Sequence, residues 1–512
     1  MEKEFTTDKV ISQIYSESVG EYSLPDYHTD IKKILLTKAR AVPAGKFVSD
    51  GSVELTGAVN YDIVYLDSEN RVTGCSFASD YEIALRCPSE GVTEVSGDTR
   101  VTNFSVRAAG PRRFTTKAAL VSTVHLLEEG EYTPTGDCIE GAEKLTRTAR
   151  VRTAKFKEGD KISVKETVAR IEGVIIDECE VIVASCEPRV ISYSRSDGAV
   201  DFQGEATVLA LVGIGNEQPV TYKKSIPISG SIPYGEDTLP AASFVTMNVG
   251  AVTVTSEAEE DGVELVAEVS LDARLRIYGN TEVDLITDLY RTDVPVENDC
   301  SDFLYREHLG TARVNLTHST QIERTQEGSE NLRNFIITSA EPRVEECKVV
   351  DDGVEVKGEI KFSGVACEVL ADGSLGYTGT RYVAPFVENV NIGCQIPSGA
   401  TVTCNAECRD ADITLDGSRI YLDSRLQLDL DVDVERRVTA VVSSSVSGEP
   451  FEKDGSVVTV TFPKEGESLF SIAKRYHTTV SKIAGDNALS EAVFSDLSKP
   501  LSPHGVTRII IK

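Results

Sequence analysis

Residues 53–61 read VELTGAVNY, and the same frame returns as VDFQGEATV at 200–208 and as VEVKGEIKF at 354–362. The second copy follows the first by 147 residues and the third follows the second by 154. Apolar or small residues (Val53, Leu55, Gly57, Val59, Tyr61; Val200, Phe202, Gly204, Ala206, Val208; Val354, Val356, Gly358, Ile360, Phe362) alternate with mostly polar ones. Side chains of a strand point alternately to its two faces, so alternation sustained over such a stretch predicts a strand with one buried face. A Gly at the same inward place in all three copies predicts a bend, a bulge or a close approach of backbone.

Working outward, a second alternating run follows each first run after about sixty residues, the period-two signature again. It comprises Phe114, Thr116, Ala118, Leu120, Ser122, Val124 and Leu126, then Val263, Leu265, Ala267, Val269, Leu271, Ala273 and Leu275, then Ile420, Leu422, Ser424, Leu426, Leu428, Leu430 and Val432. The tetrapeptide EPRV occurs at 187–190 and 341–344, ahead of the second and third copies, and the first copy has RAV at 40–42 in its place. Asp-Gly pairs at 50–51, 197–198, 352–353 and 416–417 stand just before alternating runs and read as turns. Self-similarity at this spacing predicts a mainly β chain: three tandem antiparallel repeats, each a β-sandwich or a barrel-like unit, over 1–137, 138–293 and 294–447. Boundaries are expected near Asp137, Asp293 and Ser447.

Length agrees with a modular chain, since 512 residues exceed what one core serves. With 52 Lys and Arg against 82 Asp and Glu the net charge is −30, which opposes a phosphate backbone as a partner. No 18-residue apolar run predicts a membrane span, and MEKEFTTDKVISQIYSE lacks the basic start and apolar stretch of a secretory leader, so the chain is expected inside the cell that makes it. The eleven cysteines contain no CxxC and are expected as free thiols behaving as small apolar residues. Six histidines form no HxxxH or HExxH pair, so neither a metal nor a cofactor is expected. No catalytic constellation emerges either. The carboxylates sit on alternating strands, where a solvated outer face is expected, and the basic run from Lys144 to Lys165 reads as an exposed hairpin face that could also dock an acidic partner or another repeat.

Beyond the acidic strand LQLDLDVDVE, residues 448–456 read as a linker and 457–512 as a separate module carrying +2, which leaves −32 on the rest. Val458, Val460 and Phe462 alternate; Leu469, Ile472, Ala473 and Tyr476 then fall on one helical face. Val480, Ile483 and Ala484 suit a second helix with Thr478 or Thr479 as N-cap and Asn487 near its end, and 508–512 supplies a closing strand. Phe470 lies about 100° from the first helix's core stripe and is expected to be partly exposed as an interface anchor, or else to flank the core.

This segment, VTFPKEGESLFSIAKRYHTTVSKIAGDNAL, resembles a LysM domain at Gly466, Ser468, Leu469, Ile472, Ala473, Tyr476, Val480, Ile483 and Asn487. The resemblance implies a βααβ fold and a shallow groove for N-acetylglucosamine-containing glycans such as peptidoglycan. Carried over position by position, one wall is Gly466, Glu467, Ser468, Leu469 and Phe470, and the other is Asp486, Asn487, Ser502, Pro503, His504 and Gly505. The closing loop SKPLSPHGVTRIIIK departs from the family pattern and leaves room for a protein in the same groove. The whole layout, with YSLPDYHTDIKKIL at 22–35 and the Gly-centred strands, resembles the SPOCS-domain, SipL-type spore-coat morphogenetic proteins of spore-forming clostridia. That resemblance implies a non-enzymatic assembly adaptor in the mother-cell cytoplasm. Its LysM domain would engage the coat-basement ATPase, stage IV sporulation protein A, and so recruit the adaptor to the forespore surface and spore coat.

Overall fold

The computed structural model describes residues 3–49, 52–86, 92–132, 140–196, 198–235, 242–324, 331–350, 353–452, 458–490, 497–501 and 506–512. Eighteen strands fall into three sixes. The first unit has β1 (Lys3–Ser23), β2 (Ile31–Ser49), β3 (Ser52–Asp67), β4 (Val72–Arg86), β5 (Val92–Gly110) and β6 (Arg113–Tyr132). The second has β7 (Glu143–Glu172), β8 (Cys179–Ser196), β9 (Ala199–Ile214), β10 (Val220–Pro233), β11 (Ala242–Glu259) and β12 (Gly262–Tyr290). In the third are β13 (Val296–Glu323), β14 (Leu332–Val350), β15 (Gly353–Val369), β16 (Leu375–Val390), β17 (Ala400–Asp416) and β18 (Arg419–Val446).

Every unit pairs its strands the same way. One antiparallel sheet runs β2-β3-β4, β8-β9-β10 or β14-β15-β16; the other runs β1-β6-β5, β7-β12-β11 or β13-β18-β17. The strongest sequence repeats are therefore the central strands: 53–61 and its copies lie on β3, β9 and β15, and the second runs lie on β6, β12 and β18. All fifteen inward positions of the first runs and all twenty-one of the second are buried. In the first unit Val53, Leu55, Val59 and Tyr61 of one sheet meet Ala118, Leu120, Val124 and Leu126 of the other. The sheets of each unit stay open at three strands, so the units are sandwiches and the barrel-like alternative is corrected: the last strand of each unit closes onto its first, and among the described residues no strand pairing joins a unit's two sheets edge to edge. A single residue pair, Thr7 with Thr153, links β1 to β7 between units.

The inward glycines mark close backbone approach. A Cβ on Gly57, Gly204 or Gly358 would sit 2.5, 2.2 or 2.3 Å from the carbonyl oxygen of Val42, Arg189 or Arg343. Those carbonyls lie beside register shifts in β2, β8 and β14, at Pro43/Gly45, Val190/Ser192 and Val344/Glu346. The recurring EPRV is thus the bulged neighbour strand pressed against the glycine.

Each unit touches the other two around a common apolar plug. Leu35 and Leu36 with Val64, Ile182 and Val183 with Leu211, and Ile336 and Ile337 with Val365 form one buried cluster. Leu36, Val183 and Ile337 stand 147 and 154 residues apart, as do Val64, Leu211 and Val365, so equivalent positions of the three repeats meet. Past the alternating frame the central strands turn apolar on both faces (Ile63 to Leu66, Leu209 to Val212, Val365 to Cys367), as burial on both sides requires.

The acidic strand departs from expectation. On β18 the even-numbered Leu426, Leu428, Leu430 and Val432 face the core of the third unit. Asp429, Asp431 and Asp433 face the second unit in place of solvent: Arg313 holds Asp429 with Nε–Oδ1 of 2.7 Å and reaches the Val245 carbonyl, while Arg152 of β7 holds Asp431 and Asp433. Arg152 is the buried member of the basic run, and Lys144, Arg147, Arg150, Lys155, Lys157, Lys161 and Lys165 are exposed. Nine cysteines are free among the described residues; Cys87 and Cys138 lie outside them. Asp293 falls between β12 and β13 and Ser447 just after β18, while Asp137 and the latter half of the 448–456 linker lie outside the described residues. No helix is long and apolar enough to cross a membrane among the described residues.

Candidate functional site

The C-terminal module has β19 (Thr459–Thr461), α1 (Leu469–Arg475), α2 (Val480–Asp486) and β20 (Ile509–Ile511), with β19 and β20 antiparallel. Ser468 caps α1 in a capping box with Ser471, and Thr479 caps α2 by accepting from Lys482 N. Leu469, Ile472, Ala473, Val480 and Ile483 make the small core with Leu501 and Ile509. The strand reads opposite to expectation. Thr461 points inward, whereas Val458 and Val460 are each 51 % exposed and Phe462 is 70 % exposed, so β19 presents its apolar side to solvent. With one strand partner and two short helices, the core has room only for the side on which Thr461 lies.

Most residues expected in the groove hold the fold together. Gly466 takes a left-handed conformation (φ 78°) in a turn where Glu467 N donates to Lys464 O and Lys464 N donates to Glu467 Oε2. Glu467 also pairs with Arg475. Asn487 donates to Ile483 O and Ile510 O and accepts from Ile510 N, which uses both amide hydrogens to tie the end of α2 to β20. Asp486 stands 4.0 Å from Lys512 Nζ, with its Oδ2 buried and without a hydrogen bond. Leu469 is 1 % exposed and Phe470 2 %.

The first expected wall meets the 497–501 segment, which precedes the expected Ser502 to Gly505 of the second. Ser468 bridges Pro500, and Leu501 N donates to Glu467 O at 3.0 Å, so the 464–468 turn lies beside the 497–501 segment. Lys464, Glu465, Gly466, Ser498 and Lys499 stay exposed on this rim. Ser502, Pro503, His504 and Gly505 lie outside the described residues.

Phe470 is not partly exposed: at 2 % exposure it flanks the core, and the contact it makes is internal, with Tyr290. Phe470 and Lys474, four apart on α1, and Thr478 just past its end form a stripe that docks on the end of β12. Lys474 Nζ lies 2.7 and 2.8 Å from the Asp288 carboxylate, and the Tyr290 hydroxyl donates to Thr478 O at 2.7 Å. His477 stacks on Phe451 with ring centroids 3.5 Å apart. Sequence reasoning missed Asp288 and Tyr290, which stand almost two hundred residues away and belong to another repeat. The docked stripe leaves the 464–468 turn and β19 uncovered.

A second concave site lies between the three units, a cavity of about 430 Å³ whose charged lining includes Lys38, Arg40, Glu187, Glu341 and Arg409. Arg40, Glu187 and Glu341 occupy the same place in the three repeats. Both glutamates reach the cavity's own solvent yet are walled by protein. Burial raises their carboxyls above the usual range, against the pull of Lys38 on both, of Arg40 and Arg409 on Glu187, and of Lys361 and Arg381 on Glu341.

A family model for the LysM domain matches residues 464–493, which takes in the capped turn, both helices and Asn487. Comparison with curated proteins and with solved structures returns no match.

Proposed function

We propose that this chain is a non-enzymatic recognition protein whose LysM domain binds an N-acetylglucosamine-containing glycan of the peptidoglycan class, displayed from a three-unit β scaffold. A LysM domain suggests such binding, and the match over 464–493 carries the reading. The paired loops at 464–468 and 497–501, uncovered by the docking on β12, supply the matching surface. Backbone groups and short polar side chains on a shallow rim suit a sugar chain, which offers hydroxyls and amides with little charge.

The second reading is the coat-assembly adaptor. There the LysM domain takes a coat morphogenetic ATPase of the stage IV sporulation protein A kind in the mother cell, at the forespore surface. One observation favours it: Val458, Val460 and Phe462 form an exposed apolar stripe beside the groove, more apolar than a glycan needs.

Co-sedimentation of the full chain with purified peptidoglycan tests the first reading, with Phe462→Ser alongside. Saturable pelleting that survives Phe462→Ser supports glycan recognition by the loops. Absence of pelleting, together with capture of the purified ATPase that Phe462→Ser abolishes, overturns it in favour of the adaptor.

A further inference from the structure

Where β7 of the second unit meets β13 and β18 of the third, three potential ligands converge that no sequence motif announces. Asp431 and Asp433 stand two apart on one face of β18, and His308 is the cross-strand partner of Asp433, just before a register shift at Gly310. The His308 side chain is 3 % exposed, and neither of its ring nitrogens makes a hydrogen bond. Nδ1 lies 3.2 Å from Oδ1 of Asp431 and 3.5 Å from Oδ1 of Asp433, and both of those oxygens also lack a hydrogen bond. The other oxygens are taken: Arg152 donates to Oδ2 of Asp431 at 2.8 Å and to Oδ2 of Asp433. Asn280 fixes the His308 backbone reciprocally, donating to its carbonyl at 2.8 Å and accepting from its amide at 2.9 Å.

Two physical arguments separate this arrangement from an ordinary salt bridge. A charge-assisted N–H···O contact closes to about 2.7–2.9 Å, and both Nδ1–Oδ1 gaps are wider. Tetrahedral ligands at zinc distances of about 2.0–2.2 Å are separated by roughly 3.3–3.6 Å; the 3.5 Å gap falls in that range and the 3.2 Å gap lies just below it. Neighbouring Asp429 shows the contrast: Arg313 grips both of its oxygens, and none is left over.

We propose that His308 Nδ1, Asp431 Oδ1 and Asp433 Oδ1 bind a divalent transition-metal cation of the Zn²⁺ class, with Arg152 orienting the two carboxylates from the second unit and solvent completing the coordination. The cation clamps β13 to β18 and stiffens the junction with β7. It owes nothing to the LysM reading.

The test is a Co²⁺ titration of the chelator-stripped full chain, followed in the visible region. One equivalent is expected to bind with d–d bands and no sulfur-to-metal charge transfer, Zn²⁺ is expected to displace it and raise Tm, and His308→Asn and Asp433→Asn are expected to lose the bands. Arg152→Lys should weaken affinity by roughly 10–100-fold, as for other outer-sphere partners. X-ray absorption of the zinc-loaded wild type needs no variant to fold, and is expected to show one imidazole among oxygen neighbours. No saturable bands, bands retained in His308→Asn, or sulfur neighbours that would assign the metal to cysteines, each overturns the proposal.

Discussion

Phe470 of α1 packs edge-on against Tyr290 at the end of β12, with ring centroids 5.1 Å apart and planes 75° to one another. The contact joins the core of a small module to a strand of the second unit, and Leu145 of β7 packs against the same cluster. A domain of this size has few apolar groups of its own to bury, so borrowing Tyr290 extends its core.

Phe470→Ala is therefore expected to cost about 3–5 kcal/mol, comparable to the whole stability of so small a domain. Hydrogen exchange over 469–486 should rise towards unprotected rates while β9 and β12 keep theirs. Tyr290→Phe removes only the bond to Thr478 O and should cost about 0.5–1.5 kcal/mol. Wild-type protection in Phe470→Ala would show that the packing contributes nothing.

The inward glycines should refuse a methyl group. Gly204→Ala and Gly358→Ala drive a Cβ into a carbonyl oxygen and are expected to destabilise by about 1–3 kcal/mol, read as a fall in the urea midpoint. Gly485→Ala is the control: it lies in α2 with nothing within 4 Å of its Cβ, and a gain of roughly 0.5–1 kcal/mol is expected there.

Leu211 is fully buried in the plug. Leu211→Ala is expected to cost about 2–5 kcal/mol and to lower the unfolding temperature of all three units together. Calorimetry should show one shifted transition for the scaffold. A shift confined to a third of the unfolding enthalpy would mean that the units unfold independently.

Glu187 and Glu341 give a pH signature. Burial raises their folded carboxyls above the unfolded value of about 4.3. Across that window the folded state holds more protons, so stability falls as pH rises and the loss persists above it. Glu187→Gln with Glu341→Gln should therefore raise Tm at neutral pH, the gain shrinking as pH approaches 4. An equal gain at both pH values would point to repacking in place of charge.

Much of the scaffold was legible because its central strands obey a local rule: one buried face writes itself as alternation, and β3, β9, β15, β6, β12 and β18 carry it. The cap of α2 was legible, narrowed to Thr478 or Thr479, for the same reason, since a cap serves its own first turn. What escaped depends on partners far along the chain. Asp429, Asp431 and Asp433 look like a solvated face until Arg152 and Arg313 arrive from elsewhere. In β19 the pattern misled: alternation shows two unlike faces but not which one is covered, and Val458, Val460 and Phe462 took the outer side. Phe470 was expected partly exposed and is buried, because Tyr290, which covers it, belongs to another repeat.

The plug also fixes how many units the scaffold can hold. Leu36, Val183 and Ile337 converge from equivalent places, and each unit touches the other two, so the ring is full at three and a fourth copy would find no seat. A chain shortened by one repeat would instead leave a vacancy shaped like the missing unit, lined with aliphatic side chains. Such a fragment would be expected to recruit a unit from a second chain, turning an internal symmetry into an exchange between molecules.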